Sequence, residues 1–264
     1  MKKREELITL IEEWNYKKQL KLKKAILEKL IFDDKLCYCK TQDYNNIIKT
    51  CKVFSVDKSI LEKLDLSEVS FDDFLAENVD FSGLYGVKLN PQKVYSKSLC
   101  CSILNGVEII GPFDDVNVER TNFKGVLGNN KLNPQTVNSK SLYGAVLSGI
   151  EIVGSYNNVN VERTNFKGVL GNNKINPQKI YSKSLFCTKL CDMEITGSFD
   201  GVDLENTDFR GIIGHNELNP QTVKLKTLHG TILENVNIIG SFEDVDTEEM
   251  KIIYSEQKKQ NIKR

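Results

Sequence analysis

The sequence has little of what catalytic, secreted and membrane proteins usually carry. Among 264 residues there are only two histidines and one tryptophan, and the formal net charge is zero. No apolar run approaches the roughly 18 residues that span a bilayer. The acidic pair Glu5-Glu6 interrupts the N-terminus before the apolar stretch of a signal peptide develops. The sequence therefore predicts a cytoplasmic protein with no membrane contact.

Cysteine is present, but it forms no recognisable framework. The seven cysteines are odd in number and scattered along the chain: Cys37, Cys39, Cys51, Cys100, Cys101, Cys187 and Cys191. No CxxC pair occurs, and the two histidines, His215 and His229, lie far from Cys37 and Cys39. We therefore expect small apolar cysteines, no disulfide framework, no metal site and no cofactor.

The zero net charge hides an uneven distribution. Residues 1–63 hold 15 Lys/Arg against 10 Asp/Glu, a net +5. Residues 64–255 hold 17 against 25, a net −8, and residues 256–264 hold 4 against 1, a net +3. A mildly acidic body thus stands between two basic ends.

An internal repeat decides the fold class. The segment VNVERTNFKGVLGNNK stands at 116–131 and again, unchanged, at 159–174, an offset of 43 residues. Leu89-Asn90-Pro91-Gln92 recurs at the same offset as LNPQ, INPQ and LNPQ. An offset kept over four copies indicates a tandem-repeat architecture.

A shorter period of about five lies inside the long repeat. Apolar residues recur at that spacing in Ile180, Leu185, Leu190 and Ile195. Five matches neither the 3.6 period of a helix nor the 2.0 period of a long strand. It fits three extended residues, the first and third pointing inward, followed by a two-residue corner. Four such sides close a coil of roughly 20 residues, and coils stack about 4.8 Å apart.

The five-residue units resemble a known family. TNFKG, TDFRG, VDFSG and LDLSE are similar to the pattern of pentapeptide-repeat proteins. The resemblance implies an all-β solenoid, a right-handed quadrilateral β-helix, over residues 64–247. It says little about function, because the family is broad.

One stretch of each 43-residue unit leaves the five-residue register. We predict that GNNKxNPQ forms a bulge or loop, because Asn-Pro favours an extended-then-turn geometry and Gly-Asn-Asn tolerates left-handed conformations. Four stacked copies would lie on one edge, where binding would be sought first. The predicted repeat-edge loop residues are Asn129, Asn130, Asn133, Asn172, Asn173 and Asn176.

The two ends have a different pattern. Residues 1–63 predict a small helical N-terminal region, which either caps the solenoid or recruits a partner. Residues 248–264 begin with acidic and end with basic residues, the polarity that favours a short C-terminal helix. That tail could mediate a homodimer or merely cap, and the sequence leaves both open.

No catalytic constellation is evident, so we predict that the chain is not an enzyme. The pair Ser139-Lys140 belongs to the repeating unit, whereas catalysis needs one specifically supported site. His215 and His229 have no evident partners and are interpreted as surface variation. Phe81, Phe123, Phe166 and Phe209 are predicted core residues, and Phe113, Tyr156, Phe199 and Phe242 as well.

Acidic clusters are the candidate interaction surface: Asp114, Asp115, Asp200, Asp203, Asp208 and Asp244. Some pentapeptide-repeat proteins resemble B-form DNA in size and charge and bind type II topoisomerases. The resemblance thus raises an alternative function, a DNA-mimicking gyrase binder that inhibits or protects the enzyme. Against it, Asn157-Asn158 is the neutral second copy of Asp114-Asp115.

The sequence therefore favours a non-enzymatic protein-interaction scaffold. It predicts a protein partner of unknown identity, no small-molecule substrate and no direct nucleic-acid binding. A continuous negative stripe would favour DNA mimicry, and mixed charge would favour a general scaffold.

Overall fold

The fold is known from a computed structural model that describes residues 67, 71–72, 76–214 and 216–254. These residues are all-β and form a β-solenoid of short parallel strands, which confirms the predicted fold class at that level. They fall into two compact units. The described residues of the first lie within 67–112 and 124–130, and those of the second lie within 113–123 and 131–254.

The strands are two or three residues long, and their pairing is parallel. In the first unit the sheet order is β1-β2-β3, with β1 Lys88–Leu89, β2 Glu108–Ile109 and β3 Leu127–Gly128. The second unit begins with the sheet β4-β5-β6, formed by β4 Lys131–Leu132, β5 Glu151–Ile152 and β6 Leu170–Gly171.

The remaining strands of the second unit form parallel pairs. β7 Lys174–Ile175 pairs with β8 Glu194–Ile195. β9 Glu217–Leu218 pairs with β11 Asn237–Ile238, and β10 Ile232–Glu234 pairs with β12 Lys251–Ile253. Short 3₁₀ segments follow the Asn-Pro-Gln corners at Tyr95–Lys97, Asn138–Lys140, Tyr181–Lys183 and Lys224–Lys226.

The pairing register explains the 43-residue repeat. Along β4-β5-β6, Lys131 pairs with Glu151 and Glu151 with Leu170, steps of 20 and 19 residues that each make one coil. On another side of the second unit the bridges run from Asn122 to residue 146, then to 165, 189, 208 and 232. Those steps alternate between 24 and 19 residues. The repeat therefore consists of two coils, one of them longer than the other.

The interior is an aromatic ladder flanked by small residues. The predicted core phenylalanines Phe81, Phe123, Phe166 and Phe209 are all fully buried. In the second unit each meets a second ring edge-to-face: Tyr156 lies 5.4 Å from Phe166, centroid to centroid. Two residues before the phenylalanine stands a buried threonine such as Thr164, whose Oγ1 donates to the Leu142 carbonyl at 2.8 Å. The first and third residues of each extended piece thus face inward, as predicted.

The prediction of a C-terminal helix over 248–264 is wrong where the tail is described. Lys251–Ile253 is strand β12, whose β-branched Ile252 and Ile253 continue the parallel pairing onto β10. Residues 255–264 lie outside the described residues, and so does the predicted helical region 1–63. Among the residues described, no helix is long and apolar enough to cross a membrane.

Candidate interaction surface

The Gly-Asn-Asn-Lys stretch is a four-residue insertion into one side of a coil. β6 pairs back onto β5, whereas β7, three residues further on, pairs forward onto β8. That side of the coil is therefore occupied twice, by two strands joined at Asn172 and Asn173. The predicted off-register loop is thus confined to the GNNK half of GNNKxNPQ.

The inserted asparagines are hydrogen-bonded to the neighbouring backbone. Asn172 Nδ2 donates to the Gly154 carbonyl at 2.6 Å, and its Oδ1 accepts from the Lys174 amide at 3.0 Å. Asn173 Nδ2 donates to the Asp192 carbonyl at 3.0 Å. The equivalent pair one repeat earlier is Asn129 and Asn130. Asn129 Nδ2 likewise donates to a glycine carbonyl, at 3.2 Å.

The Asn-Pro-Gln half is a corner tied to the next coil. Asn133 Oδ1 accepts from the Gln135 amide at 3.0 Å, which closes an Asx turn. Gln135 Nε2 then donates to the carbonyls of Ser155 at 2.9 Å and Asn157 at 2.7 Å. Asn176 and Gln178 repeat the arrangement one unit later. Asn133 and Asn176 therefore close their corners, and Gln135 and Gln178 link those corners to the next coil.

A glycine on the next coil makes room for this corner. A Cβ added at Gly154 would lie 2.9 Å from Asn133 Cγ and closer still to Asn133 Oδ1. In all four 43-residue repeats a glycine faces the asparagine of the Asn-Pro-Gln corner: Gly111, Gly154, Gly197 and Gly240. Since no side chain fits, the glycine and the Asn-Pro-Gln segment recur together for a steric reason.

Two of the predicted acidic surface residues occupy left-handed corners. Asp115 has φ 60° and Asp244 has φ 55°, and both are exposed. The equivalent residues in the two intervening repeats, Asn158 and Gly201, have φ 56° and 67°. Asp, Asn and Gly are the residues that tolerate this conformation best. The backbone geometry of the corner therefore accounts for the residue types at 115 and 244. Asp114, beside Asp115, is also exposed.

The other acidic residues are engaged within the second unit. Arg210 binds Asp208 through Nε to Oδ1 at 2.9 Å and Nη2 to Oδ2 at 2.6 Å. Burial favours a higher pKa for Asp208, but the hydrogen bonds and charge of Arg210 outweigh it and lower that pKa below its usual value. Asp203 lies 3.3 Å from Lys224 Nζ. The Thr222 hydroxyl donates to Asp200 at 2.5 Å.

These acidic residues do not make a continuous stripe at the corner that carries Asp114 and Asp115. The next 43-residue repeat presents neutral Asn157 and Asn158 there, two coils and about 10 Å away. An acidic residue returns only with Asp200, one repeat further. The surface of the second unit is therefore mixed in charge, the pattern that was predicted to favour a general scaffold.

Exposed apolar side chains form a surface that the sequence reading missed. Val153, Leu170, Ile213 and Ile239 are 48%, 51%, 52% and 45% exposed, and we call them the outward apolar set. Leu170 pairs with Glu151, which faces Lys131 at 3.9 Å. Ile213 bridges Glu194, which faces Lys174 at 3.2 Å. For Leu170 and Ile213 the sequence held a signal, an apolar residue just before Gly-Asn-Asn or Gly-His-Asn, but only the structure shows that these residues point outward.

Next to this set lies an open cleft of about 540 Å³. It is lined by Ile195, Thr196, Phe199, Glu217, Asn219 and Ile239. Its volume lies in the range typical of binding pockets. Ile239 of the outward apolar set therefore borders a concave surface.

The interpretation of His229 as a histidine without partners is wrong. Its Nδ1 lies 3.9 Å from Glu248 Oε2. His229 and Glu248 are separated in sequence by about one coil and meet at the same corner on successive coils, which the sequence alone does not show. His215 lies outside the described residues.

The four described cysteines form no disulfide and are half-buried: Cys100, Cys101, Cys187 and Cys191. Burial raises the pKa of the Cys187 thiol, and burial followed by the charge of Asp192 raises that of Cys191. Both are therefore weak nucleophiles at neutral pH. Ser139, the predicted repeat serine, donates to Asn138 Oδ1 at 3.0 Å within an exposed turn.

No family model matches the sequence, and no curated protein matches it.

Proposed function

We propose that this chain is a pentapeptide-repeat protein whose right-handed quadrilateral β-helix serves as a non-enzymatic protein-interaction scaffold. One observation carries the proposal, the outward apolar set of the second unit. Leu170 and Ile213 are 43 residues apart, so they present apolar contacts two coils, or about 10 Å, apart on a rigid support. Val153 and Leu170 are diagonal neighbours on adjacent coils, since Leu170 pairs with Glu151, two residues before Val153.

The partner surface should be apolar with charged flanks. The ion pairs Lys131–Glu151 and Lys174–Glu194 lie beside Leu170 and Ile213 on neighbouring coils, so charged groups alternate with the apolar ones. Protein-binding patches combine apolar contacts with polar groups in this way. We also propose a cytoplasmic location, since the described cysteines are free thiols.

The topoisomerase alternative receives less support from these contacts. The charges of Asp203 and Asp208 are countered by Lys224 and Arg210, and Asp115 and Asp244 satisfy a left-handed corner. A gyrase supercoiling assay with micromolar protein tests this alternative. Inhibition or protection that disappears in an Asp114→Asn/Asp200→Asn variant would favour it over the general scaffold.

Paired affinity capture tests the scaffold function. The immobilised full chain and its Leu170→Ser/Ile213→Ser variant are exposed to an extract of the source cells. A Lys140→Gln/Lys183→Gln variant is the control, since it alters two other exposed positions with the same 43-residue spacing. Circular dichroism and thermal unfolding verify that all three are folded.

We expect a protein retained by the natural chain and the control but at least roughly tenfold reduced on the apolar variant. Equal retention by both variants would contradict the assignment of the surface. A catalytic activity that is lost on changing one side chain would contradict the non-enzymatic role.

A further inference from the structure

One corner of the second unit is built from arginines stacked on aromatic rings. The Arg163 guanidinium carbon lies 5.9 Å from the ring centre of Tyr143 and 5.3 Å from that of Phe186. Arg120, one unit earlier, lies 5.4 Å from Tyr143. Cations over aromatic faces stabilise the stack of coils at this corner.

Towards the C-terminus the 43-residue repeat no longer has these residues. His229 stands where the preceding repeat has Phe186, and the next two copies of the Arg163 position are Asn206 and Glu249. The Asn206 backbone N–H donates to the His229 carbonyl at 2.8 Å, as the Arg163 backbone N–H does to the Phe186 carbonyl at 2.9 Å. The backbone arrangement is therefore kept, while the two arginine positions hold Asn206 and the carboxylate of Glu249.

Three metal-ligating side chains converge at this altered corner. His229, Asp246 and Glu248 each offer a ligand atom, and these atoms all lie within 4.8 Å of one another. His229 comes from one coil and the two carboxylates from the next, joined by the Gly230 amide donating to the Glu248 carbonyl at 2.8 Å.

Hydrogen bonds already orient the Asp246 carboxylate. Its Oδ2 accepts from the Thr227 hydroxyl at 3.3 Å, and its Oδ1 accepts from the Glu248 amide at 3.0 Å. The turn itself does not need a charge here, because Asn160 Oδ1 accepts from the Glu162 amide at 3.1 Å in an earlier unit. The charge at Asp246 is therefore additional to the structural requirement.

We propose that His229, Asp246 and Glu248 bind a divalent transition-metal ion of the zinc or cobalt type. One imidazole nitrogen and two carboxylates form a ligand set for such ions, with bonds of about 2.0–2.2 Å and water in the remaining positions. The Glu248 side chain is 78% exposed, so it is free to rotate and close the remaining distance. Because the ligands come from two coils, the ion cross-links them.

The repeat supplies variants that remove a ligand without changing the fold. His229→Phe introduces the residue of the preceding unit, and Asp246→Asn introduces the residue that makes the same turn at Asn160. His215→Asn is the matched control, since it removes the other histidine and restores the Gly-Asn-Asn sequence of the two preceding repeats. Glu205→Gln is a second control, at the Glu248 position of the preceding unit.

Calorimetric titration of the metal-free full chain with Zn²⁺, and the visible absorption of its Co²⁺ form, measure binding. We expect one ion per chain, an increase in the melting temperature, and affinity at least roughly tenfold weaker in His229→Phe and Asp246→Asn. Both controls should bind like the natural chain.

The proposal is overturned by an absence of binding near neutral pH, or by binding that His229→Phe leaves unchanged in a folded protein. A thiolate-to-cobalt charge-transfer band would place the ion on cysteines and would also overturn it. These readouts concern the metal alone, so they are independent of whether the chain binds a protein partner.

Discussion

The two halves of the GNNKxNPQ segment differ in recurrence and in structural role, since Asn-Pro-Gln stands in all four repeats and Gly-Asn-Asn-Lys is intact in two. In the Asn-Pro-Gln half, Asn133 closes a turn against Gly154, and Gln135 donates to two carbonyls of the next coil. In the Gly-Asn-Asn-Lys half, Asn172 and Asn173 connect two strands that share one side of a coil. The first half joins coils, and the second lengthens one of them.

This difference shows that recurrence in a solenoid reports backbone requirements before it reports binding. A corner that must accommodate a side chain against a facing glycine restricts the residue identities in every unit. Function is better sought where units expose apolar groups, as at Leu170, or where one unit departs from the others, as at His229.

The largest expected effect comes from filling the space opposite the corner. Gly154→Ala should destabilise the protein by about 2–3 kcal/mol, because the new Cβ displaces Asn133 and opens its turn. Chemical denaturation measures the change in the free energy of unfolding.

The control for that clash is the double variant Asn133→Ala/Gly154→Ala. Removing the Asn133 carboxamide removes the overlap, so the two changes should be strongly non-additive. If the double variant loses the full sum of the two single effects, the steric explanation of the recurring glycine is wrong.

A smaller effect is expected from the link between coils. Gln135→Ala removes both donations from Nε2 and should lower the free energy of unfolding by about 1 kcal/mol. Asn157→Ala is the control, since it keeps the backbone carbonyl that accepts the bond. Equal effects of the two changes would show that the Gln135 side chain does not link the coils.

The insertion should be dispensable for the fold. Deleting Gly171 to Lys174 brings Ile175 onto the position that Gly171 occupies over Ile152, and leaves steps of 19 and 20 residues between neighbouring coils. We expect a change in the free energy of unfolding below about 1 kcal/mol. Circular dichroism and cooperative unfolding test this. Loss of the β signal would mean that the GNNK half is also required for stacking.

The smallest expected effect is a pH dependence at Asp208. Its folded pKa is lowered, so its contribution to stability is present above the unfolded pKa of about 3.9 and is lost as the pH falls through the folded value. Asp208→Asn, which introduces the residue found at Asn165, should lessen the fall in stability in this acidic range. Chemical denaturation at a series of pH values from about 7 to about 2 measures the free energy of unfolding of each variant. Asp244→Asn is the control for net charge, and an identical pH profile in both variants would contradict the role of Arg210.

Much of the fold could be predicted from the sequence, because the 43-residue offset and the period of five both follow from coil geometry. The burial of Phe123, Phe166 and Phe209 and the roughly 20-residue coil were predicted in that way and are confirmed. The C-terminal helix was predicted wrongly where the tail is described, at Lys251–Ile253, since the pairing of Ile252 and Ile253 with β10 outweighs the charge pattern there.

The candidate surface could be predicted only in part. The acidic residues were visible, but their pairing with Arg210 and Lys224 and their left-handed corners depend on the stacking of coils. The outward direction of Leu170 depends on where the insertion begins, and the contact of His229 with Glu248 joins residues on successive coils.

Site-specific photo-crosslinking tests the proposed interaction surface most directly. A photoreactive amino acid is placed at position 170 of the full chain or, as the comparison, at position 140 on another exposed corner. In an extract of the source cells, a discrete protein should crosslink from position 170 and not from position 140. Crosslinking from position 140 alone, equal crosslinking from both positions, or none from either would contradict a scaffold that binds through its outward apolar set.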